Sequence, residues 1–577
     1  MKRENPEPIV FQIGFNTKSA RILASLFDRN GYRARHWLNG TLAEDIMYSK
    51  AVGAEPLQAW PRAHFFSGLE SVHRIQLPQV EAFREFRFLK ESFPDAIFIL
   101  DKCYPEDLIA SRFAIRNGEY AVSQAHRLGV HLTDLPEVWI TDWEEHQSQC
   151  NEYFQGYEHF FSCETEGQGL DCLIDKLSPW FHFKYRSVEK KTTVQHSQLL
   201  ELGSVFEGIQ PHGVIGQPRH GPNENPRFVQ ELIDFCSGSI SESHLDFDYE
   251  QTSGIFAEWD GKDRVVDRDG RRLPFERSSL DGREVFLAPP GMRKMHRIQA
   301  TINEILSLGQ AAPSRYDMQD GRRYGSGENP PPGTPLITYN RRVGAKNMVL
   351  WPLPGYHTPG LRDFVHHESW DQLEFDQKSV LAPDLSERRP AHMIVKDLES
   401  VEPGTDATDH LLEELSGLTR YRVLERLIDN DDFDLGLVQK EPLVSKAAIS
   451  ALGRFVKQKE ELQWFFQFKY IISLSGYDTG SNFLVAANSN SVVLKEEDGW
   501  EVFYSSCFRP WEHYIPLQRG ATDLEQKLDW ARRNQDKCRE MVRASSAVCS
   551  LLANTLIRNS ALSAVFENYK ARYPAHE

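Results

Sequence analysis

No apolar run in this chain approaches the length of a bilayer span, and the amino end, MKRENPEPIVFQIGF, lacks the hydrophobic stretch of a signal peptide. Neither a transmembrane segment nor a secretory leader is expected. The expected address is cytoplasmic, with peripheral contact at the inner face of the membrane left open. Cysteine is sparse and unpaired in pattern: the eight cysteines (Cys103, Cys150, Cys163, Cys172, Cys236, Cys507, Cys538, Cys549) include no CxxC. That argues against a zinc site or a disulfide framework and for reduced, mostly buried thiols. Positive charge is in deficit, with 66 Lys+Arg against 83 Asp+Glu and a net charge of −17. A general nucleic-acid binder needs a cationic face to neutralise phosphates, so that class is excluded while a local basic pocket is not.

What is present is the composition of a folded enzyme: 40% hydrophobic, 11% aromatic and 26% charged residues. At 577 residues the chain is too long for one core, so two or three domains are expected. Residues Pro8 to Gly14 (PIVFQIG) read as a buried strand, followed by Ile22, Leu23, Leu26 and Phe27 at helical spacing up to Asn30-Gly31. The pattern recurs at AIFIL (96–100), with Pro105 opening a helix. This alternation predicts a parallel sheet flanked by helices. Gly- and Pro-rich stretches around Gln210 to Arg227 and Gly321 to Pro335 mark a domain start and an excursion. From Ile337 onward, MVLWPL, HMIV, FKYIISL and SVVL alternate with amphipathic helices, which is the same grammar again.

In the carboxyl half, FKYIISLSGYDTGSN (468–482) is an apolar strand running into a small-polar loop and then a helix. Ligands of open parallel sheets bind at such strand ends. ANSNSVVLK (487–495) and WEVFYSSCFRPWEHYIPL (500–517) follow, and Thr522-Asp523-Leu524-Glu525 reads as a capping box ahead of Leu524, Leu528 and Ala531. These residues resemble the family-90 glycosyltransferases: a Lys469-Tyr470 strand ending at Gly476, the Ser481-Asn482 loop, Ser489 and Ser491 before a strand, and Pro510-Trp511 with His513-Tyr514-Ile515-Pro516. VLWPL (349–353) and DLG (434–436) extend the likeness.

The resemblance implies inverting transfer from a nucleotide sugar, usually a UDP-sugar, on two Rossmann-like lobes of the GT-B type, with no metal required. On that basis Glu501, with Asp363 as rival, is the acid/base candidate. Arg389, Lys396 and Lys495 are candidates for the leaving diphosphate, and Gly476, Ser481, Asn482, Ser489 and Asn490 for the nucleotide sugar. Each lysine or arginine also reads as a solvated surface charge. His513 and Tyr514 are expected to hold the loop. One departure is ERRPAHMIVKD (387–397), where Val395, Lys396 and Asp397 stand in place of the family's Trp-Arg-Gly. DNDDFD (429–434) has the alternating carboxylates of a metal-diphosphate motif, but is read as turn and strand entrance; HHE (366–368) is read as a loop.

In the amino half, GFNTKSARILASLF (14–27) stands where a phosphate-cradling loop sits between strand and helix. With HWLNGTLAEDI (36–46), FFSGLE (65–70) and FPDAIFILDKCYPEDLIASR (93–112), it resembles bacterial sulfotransferases, which bind PAPS (3′-phosphoadenylyl sulfate). That implies a pocket at Asn16, Lys18, His36 and Ser111. The matching positions are altered: Thr17 precedes a displaced Lys18, Ser19 replaces a glycine, Gly68 an aspartate, and Cys103 the arginine of the 3′-phosphate grip. A loop without its glycine approaches phosphate less closely, which favours a retained fold without sulfuryl transfer.

The expected chain is thus α/β: a P-loop sulfotransferase-like three-layer domain over 1–195, then a family-90-like two-lobed glycosyltransferase over 199–577. Its expected partners are a nucleotide sugar and a surface polysaccharide or lipopolysaccharide acceptor, with no nucleic acid. A bifunctional sulfotransferase and glycosyltransferase and a non-catalytic glycan-assembly scaffold remain as alternatives.

Overall fold

The computed structural model describes residues 7–186 except 16–17, 72–78, 115–118, 129, 131–132 and 165–167; residues 225–240; 255–320 except 281, 291 and 293–294; 334–354 and 357; 375–377; 419–436; 449–457 except 451; and 465–572 except 477 and 481. The expected boundary at 195–199 and the segment HMIV lie outside these residues.

Strands β1 (Val10–Gln12), β2 (Ala34–His36), β3 (Phe65–Ser67), β4 (Ile97–Lys102) and β5 (Phe160–Glu164) form one parallel sheet in the order β2-β3-β1-β4-β5. Both faces are covered, which is why its central strands read as continuous apolar runs. Alternate residues enter different cores, as the two-residue period of a strand requires. Phe11, Phe66, Phe98 and Leu100 pack with Leu42 and Ile46 of helix Thr41–Val52. Val10, Phe65, Ile97 and Ile99 pack with Leu23, Leu26 and Phe27 of helix Lys18–Arg29 and with Leu173 and Leu177 of helix Gln168–Leu177. The result is three layers, as the sequence pattern predicts.

The following part begins with helix Pro226–Ser237, then β6 (Phe256–Asp260), β7 (Val265–Val266), the hairpin β8 (Glu276–Leu280) and β9 (Arg283–Leu287), and helix His296–Ser307. Next come β10 (Pro313–Asp317), β11 (Leu336–Thr338), β12 (Asn340–Arg342) and β13 (Met348–Leu350). The sheet order is β13-β11-β10-β6-β7, with β10, β11 and β13 mutually parallel and β6 and β7 antiparallel at one side. Strands β14 (Tyr470–Ser473), β15 (Val492–Glu496) and β17 (Ile515–Leu517) form a separate parallel sheet, and β16 (Trp500–Val502) pairs antiparallel with β12. The last helix, Thr555–Arg572, returns to the first of these sheets, where the Tyr569 hydroxyl accepts from Arg315 N at 2.9 Å.

Two local expectations change. Helix Leu524–Arg533 does bury Leu524, Leu528 and Ala531, but its N-cap is Asp523, and Thr522 Oγ1 turns back to Gln518 Oε1 at 3.0 Å in place of a capping box. Residues 431–436 form no regular element. Two of their acids are held by cations: Asp432 by Arg532 at 2.7 Å, and Asp434 by Lys457. Among the described residues no group of three His, Cys, Asp or Glu side chains is arranged to hold a metal ion, and no helix is long and apolar enough to cross a membrane.

Candidate active site

The β14 strand ends at Ser473, and its loop turns back tightly on itself. A Cβ on Gly480 would lie 2.6 Å from Ser473 Oγ and 2.9 Å from the Leu474 carbonyl, so only glycine fits. Ser473 Oγ donates to Asn482 Oδ1 at 2.8 Å, and Asn482 Nδ2 donates to the Ile472 carbonyl at 3.2 Å. Helix Thr419–Leu427 brings two guanidinium groups to this edge. Arg420 donates to the Leu474 carbonyl at 3.2 Å and fills the space beside Gly476, while Arg422 approaches Gly520 (φ +81°) after β17. Glu496, the last residue of β15, accepts from Ser475 N at 3.0 Å, Ser475 Oγ at 2.7 Å and Gly520 N at 2.7 Å, tying the loops after β14 and β17 together.

A second set of strand ends meets this loop. Tyr339 follows β11, and Asp320 lies three residues beyond β10, its parallel neighbour. The Tyr339 hydroxyl contacts Asp320 Oδ1 and also Asp478 Oδ2, at 2.5 Å, on the loop after β14; Asn340 Nδ2 donates to the same Asp478 oxygen at 2.5 Å. Arg297, in the first turn of helix His296–Ser307, donates to Asp320 at 2.8 Å and lies 5.6 Å over the Tyr339 ring. The carboxyl ends of the parallel strands β10 and β11 of the mixed sheet and of β14 in the parallel sheet are therefore joined through Tyr339 and Asp478. Beside them stand the rings of His357 and Tyr504, 5.1 Å apart. Burial and the nearby Arg297 and Arg558 hold His357 down at about 3, so it stays neutral near pH 7, its Nδ1 accepting from Leu353 N at 3.1 Å. Burial pushes Asp498 up to about 6 against the pull of Lys495; its Oδ2 has no hydrogen-bond partner among the described residues.

Of the residues expected from sequence, Gly476, Asn482 and Lys495 share this edge, Lys495 lying opposite Ser473 in register and 3.5 Å from Glu497. Ser489 and Asn490 precede β15 and so lie at the opposite edge of a parallel pair, away from the loop; Ser489 Oγ donates to the Ala486 carbonyl at 2.6 Å and serves a turn. Glu501 is on β16, where it accepts from Arg341 Nε at 2.7 Å, and Arg341 also donates to the carbonyls of Phe235 and Met348. That carboxylate balances a guanidinium otherwise bound to backbone carbonyls, a structural role, whereas Asp320 and Asp478 meet at the Tyr339 hydroxyl. Asp363, Arg389, Lys396 and Ser481 lie outside the described residues. His513 Nδ1 accepts from Arg509 N at 2.8 Å and Tyr514 donates to Glu497 at 2.7 Å, the loop-holding roles expected of them. Sequence reasoning did not single out Arg297, Asp320, Tyr339, Arg420, Arg422 or Asp478.

At the amino-terminal sheet the corresponding strand end is engaged by an internal acid. Asp101, buried at the end of β4, accepts from Gln12 Nε2 at 2.6 Å and from Ser19 Oγ at 2.7 Å, and a Cβ on Gly14 would overlap its carboxylate at 2.0 Å. Ser19, in place of the expected glycine, is thus a ligand of an internal acid. His36 ends β2 with Nδ1 3.0 Å from Ser67 Oγ and is pushed down to about 4 by burial and Arg21. Gly68 adopts φ +62° against the His36 ring, a conformation an aspartate would strain. Burial and the acids Asp101 and Asp107 push the Cys103 thiol up to about 12. Ser111 lies half-buried in helix Pro105–Ala114; Asn16 and the Lys18 side chain lie outside what the structure describes.

Comparison with known proteins points to one part of this architecture. Protein O-glucosyltransferase 3 of Homo sapiens is 23% identical over 199 residues, 30% of this chain and 38% of that protein. Protein O-glucosyltransferase 2 of Danio rerio is 31% identical over 80 residues, 14% of this chain and 16% of that protein. Uncharacterized protein 035R of Invertebrate iridescent virus 3 is 30% identical over 77 residues, 13% of this chain and 7% of that protein. The chain thus spans well under two thirds of these relatives. Residues 435–555, which contain β14 to β17, match the family model described as Glycosyl transferase family 90, so it is this stretch of the chain that is similar to that family.

Proposed function

We propose that this protein is a glycosyltransferase that moves a sugar from a UDP-sugar to an acceptor hydroxyl in the space between the loop after β14 and the strand ends of β10 and β11. The observation that carries the reading is the junction at Tyr339 and Asp478, where the ends of the parallel strands β10 and β11 meet the loop after β14. The family match over residues 435–555 supports transferase chemistry at one of those sheets. Arg420 and Arg422 suit the diphosphate, and Asp320 and Asp478 suit the proton. In the transfer the acceptor oxygen bonds the anomeric carbon, and the bond from that carbon to the diphosphate oxygen breaks with its electron pair leaving on phosphate. The acceptor proton passes to the Asp320–Tyr339–Asp478 set, in which two carboxylates share one phenolic hydrogen.

The relatives named protein O-glucosyltransferases favour a protein hydroxyl as acceptor and glucose as donor sugar over the polysaccharide or lipopolysaccharide expected from sequence. In the amino-terminal unit, the internal Asp101 bound by Gln12 and Ser19 favours a fold retained without sulfuryl transfer, with PAPS unbound. No metal is assigned a role. The test is titration of UDP and UDP-glucose into the full chain, then transfer of labelled glucose to protein and polysaccharide acceptors with and without EDTA. Binding and EDTA-resistant transfer are expected. Absence of UDP binding at millimolar concentration would instead favour the scaffold alternative.

A further inference from the structure

The hairpin β8–β9 has two faces, and they enter two different cores. Leu280, Val285 and Leu287 lie in the amino-terminal core with Leu42, Ala43 and Ile46, and helix Thr41–Val52 rests against both strands. Phe286, between them in β9, lies in the core of the following part with Trp259, Phe275, Ile298 and Ile302. One strand is thus shared by the two units, odd and even residues going opposite ways. Its backbone is also clamped at Phe286: the N–H donates to Asn303 Oδ1 at 2.6 Å, and the carbonyl accepts from Gln299 Nε2 at 2.8 Å and Asn303 Nδ2 at 3.0 Å. Gln299 and Asn303 belong to helix His296–Ser307, whose first turn carries Arg297, the partner of Asp320.

We propose that the amino-terminal unit is a positioning element of the transfer site, acting through β9 and helix His296–Ser307 on Arg297 and Asp320. This rests on the transferase reading of that site. A two-stranded hairpin is marginal by itself, and without the amino-terminal core Leu280, Val285 and Leu287 would form an exposed apolar face. Close-packed interiors pass a shift of one element to its neighbours, and here the neighbour is held by three buried hydrogen bonds. The unit whose own strand end is engaged by Asp101 is on this view kept for what its other face supports.

The experiment uses the full chain with Ile46→Ala, Val285→Ala and Leu287→Ala, and with Leu177→Ala as a control that loosens the other face of the amino-terminal sheet. Expected for the first three is a fall in kcat of about ten- to a hundredfold with UDP affinity changed less than about threefold, since misplacement of a reacting group costs rate on that scale. Amide hydrogen exchange across residues 296–307 should quicken in the same variants and not in Leu177→Ala. Wild-type kcat and unchanged exchange in Ile46→Ala and Leu287→Ala would overturn the proposal while leaving the site intact. If no variant, wild type included, binds UDP or transfers sugar, the reading of the site fails; the exchange measurement then still decides whether the amino-terminal unit grips helix His296–Ser307.

Discussion

Beside the end of β1, Asp101 takes up the Gln12 amide and the Ser19 hydroxyl. At the end of β14 the acid nearest the loop, Glu496, binds Ser475 and Gly520 and so ties two loops together, while Arg420 and Arg422 stand at the edge. Both are strand-loop-helix turns of parallel sheets. One has an internal carboxylate engaged by its own strand and helix; the other has guanidinium groups at its edge, which suit the diphosphate of the proposed donor. Shared topology therefore carries no shared chemistry: the side chains at the strand ends decide it.

The sharpest way to break this contrast is to remove the cations. Arg420→Ala with Arg422→Ala should weaken UDP binding by roughly two to four decades, because each lost charge-assisted contact costs about 1.5 to 3 kcal/mol. Titration calorimetry measures it, with Asp101→Asn as a comparison that leaves UDP affinity unchanged; a loss under threefold in the double variant would refute the assignment. Next in size, Asp320→Asn or Asp478→Asn should slow transfer by about 10² to 10⁴ while UDP still binds. Single-turnover rates beside binding constants separate the two effects, and equal loss of both would show a folding defect.

On the other side of the comparison, Asp101→Ala should cost about 2 to 4 kcal/mol in denaturant unfolding, since a buried amide and a buried hydroxyl lose their acceptor. PAPS should raise the unfolding temperature of neither form; a clear rise in the wild type would restore the bifunctional alternative.

The smallest net effect comes from two contributions of opposite sign in the two regions. Asp498, pushed up to about 6, keeps its proton in the folded chain where the unfolded chain has lost it. Its contribution to stability is therefore greatest below about pH 4 and declines as pH rises to about 6. His36, pushed down to about 4, refuses a proton that the unfolded chain accepts below about 6.5, so its contribution declines as pH falls from 6.5 to 4. Each is on the order of 3 kcal/mol. The two windows overlap and largely cancel in the wild type, so urea midpoints between pH 4 and 7 should rise with pH in Asp498→Asn and fall with pH in His36→Gln; slopes unchanged from the wild type would show that neither group is buried as described.

Much of the scaffold was legible locally. Runs such as PIVFQIG and AIFIL became central parallel strands, because a strand covered on both faces has no polar side to alternate with. The placement of Ser489 and Asn490 was not. They follow the loop closely in sequence, but a parallel strand must begin at the edge opposite to where its predecessor ended, so the intervening helix Phe483–Ala487 carries them away from the site. Glu501 looked available because its partner, Arg341, lies 160 residues away in sequence.

By itself, the sequence determined the strand-loop-helix units of the parallel strands and the loop after β14 with its glycines, because each depends on neighbours within a few residues. Only tertiary structure decided the rest: that Tyr339 meets Asp478, that Arg420 reaches Gly476, that Asp101 takes up Gln12 and Ser19, and that β9 belongs to two cores at once. Those contacts join residues dozens to well over a hundred positions apart, where no local periodicity reports which side chains share a space.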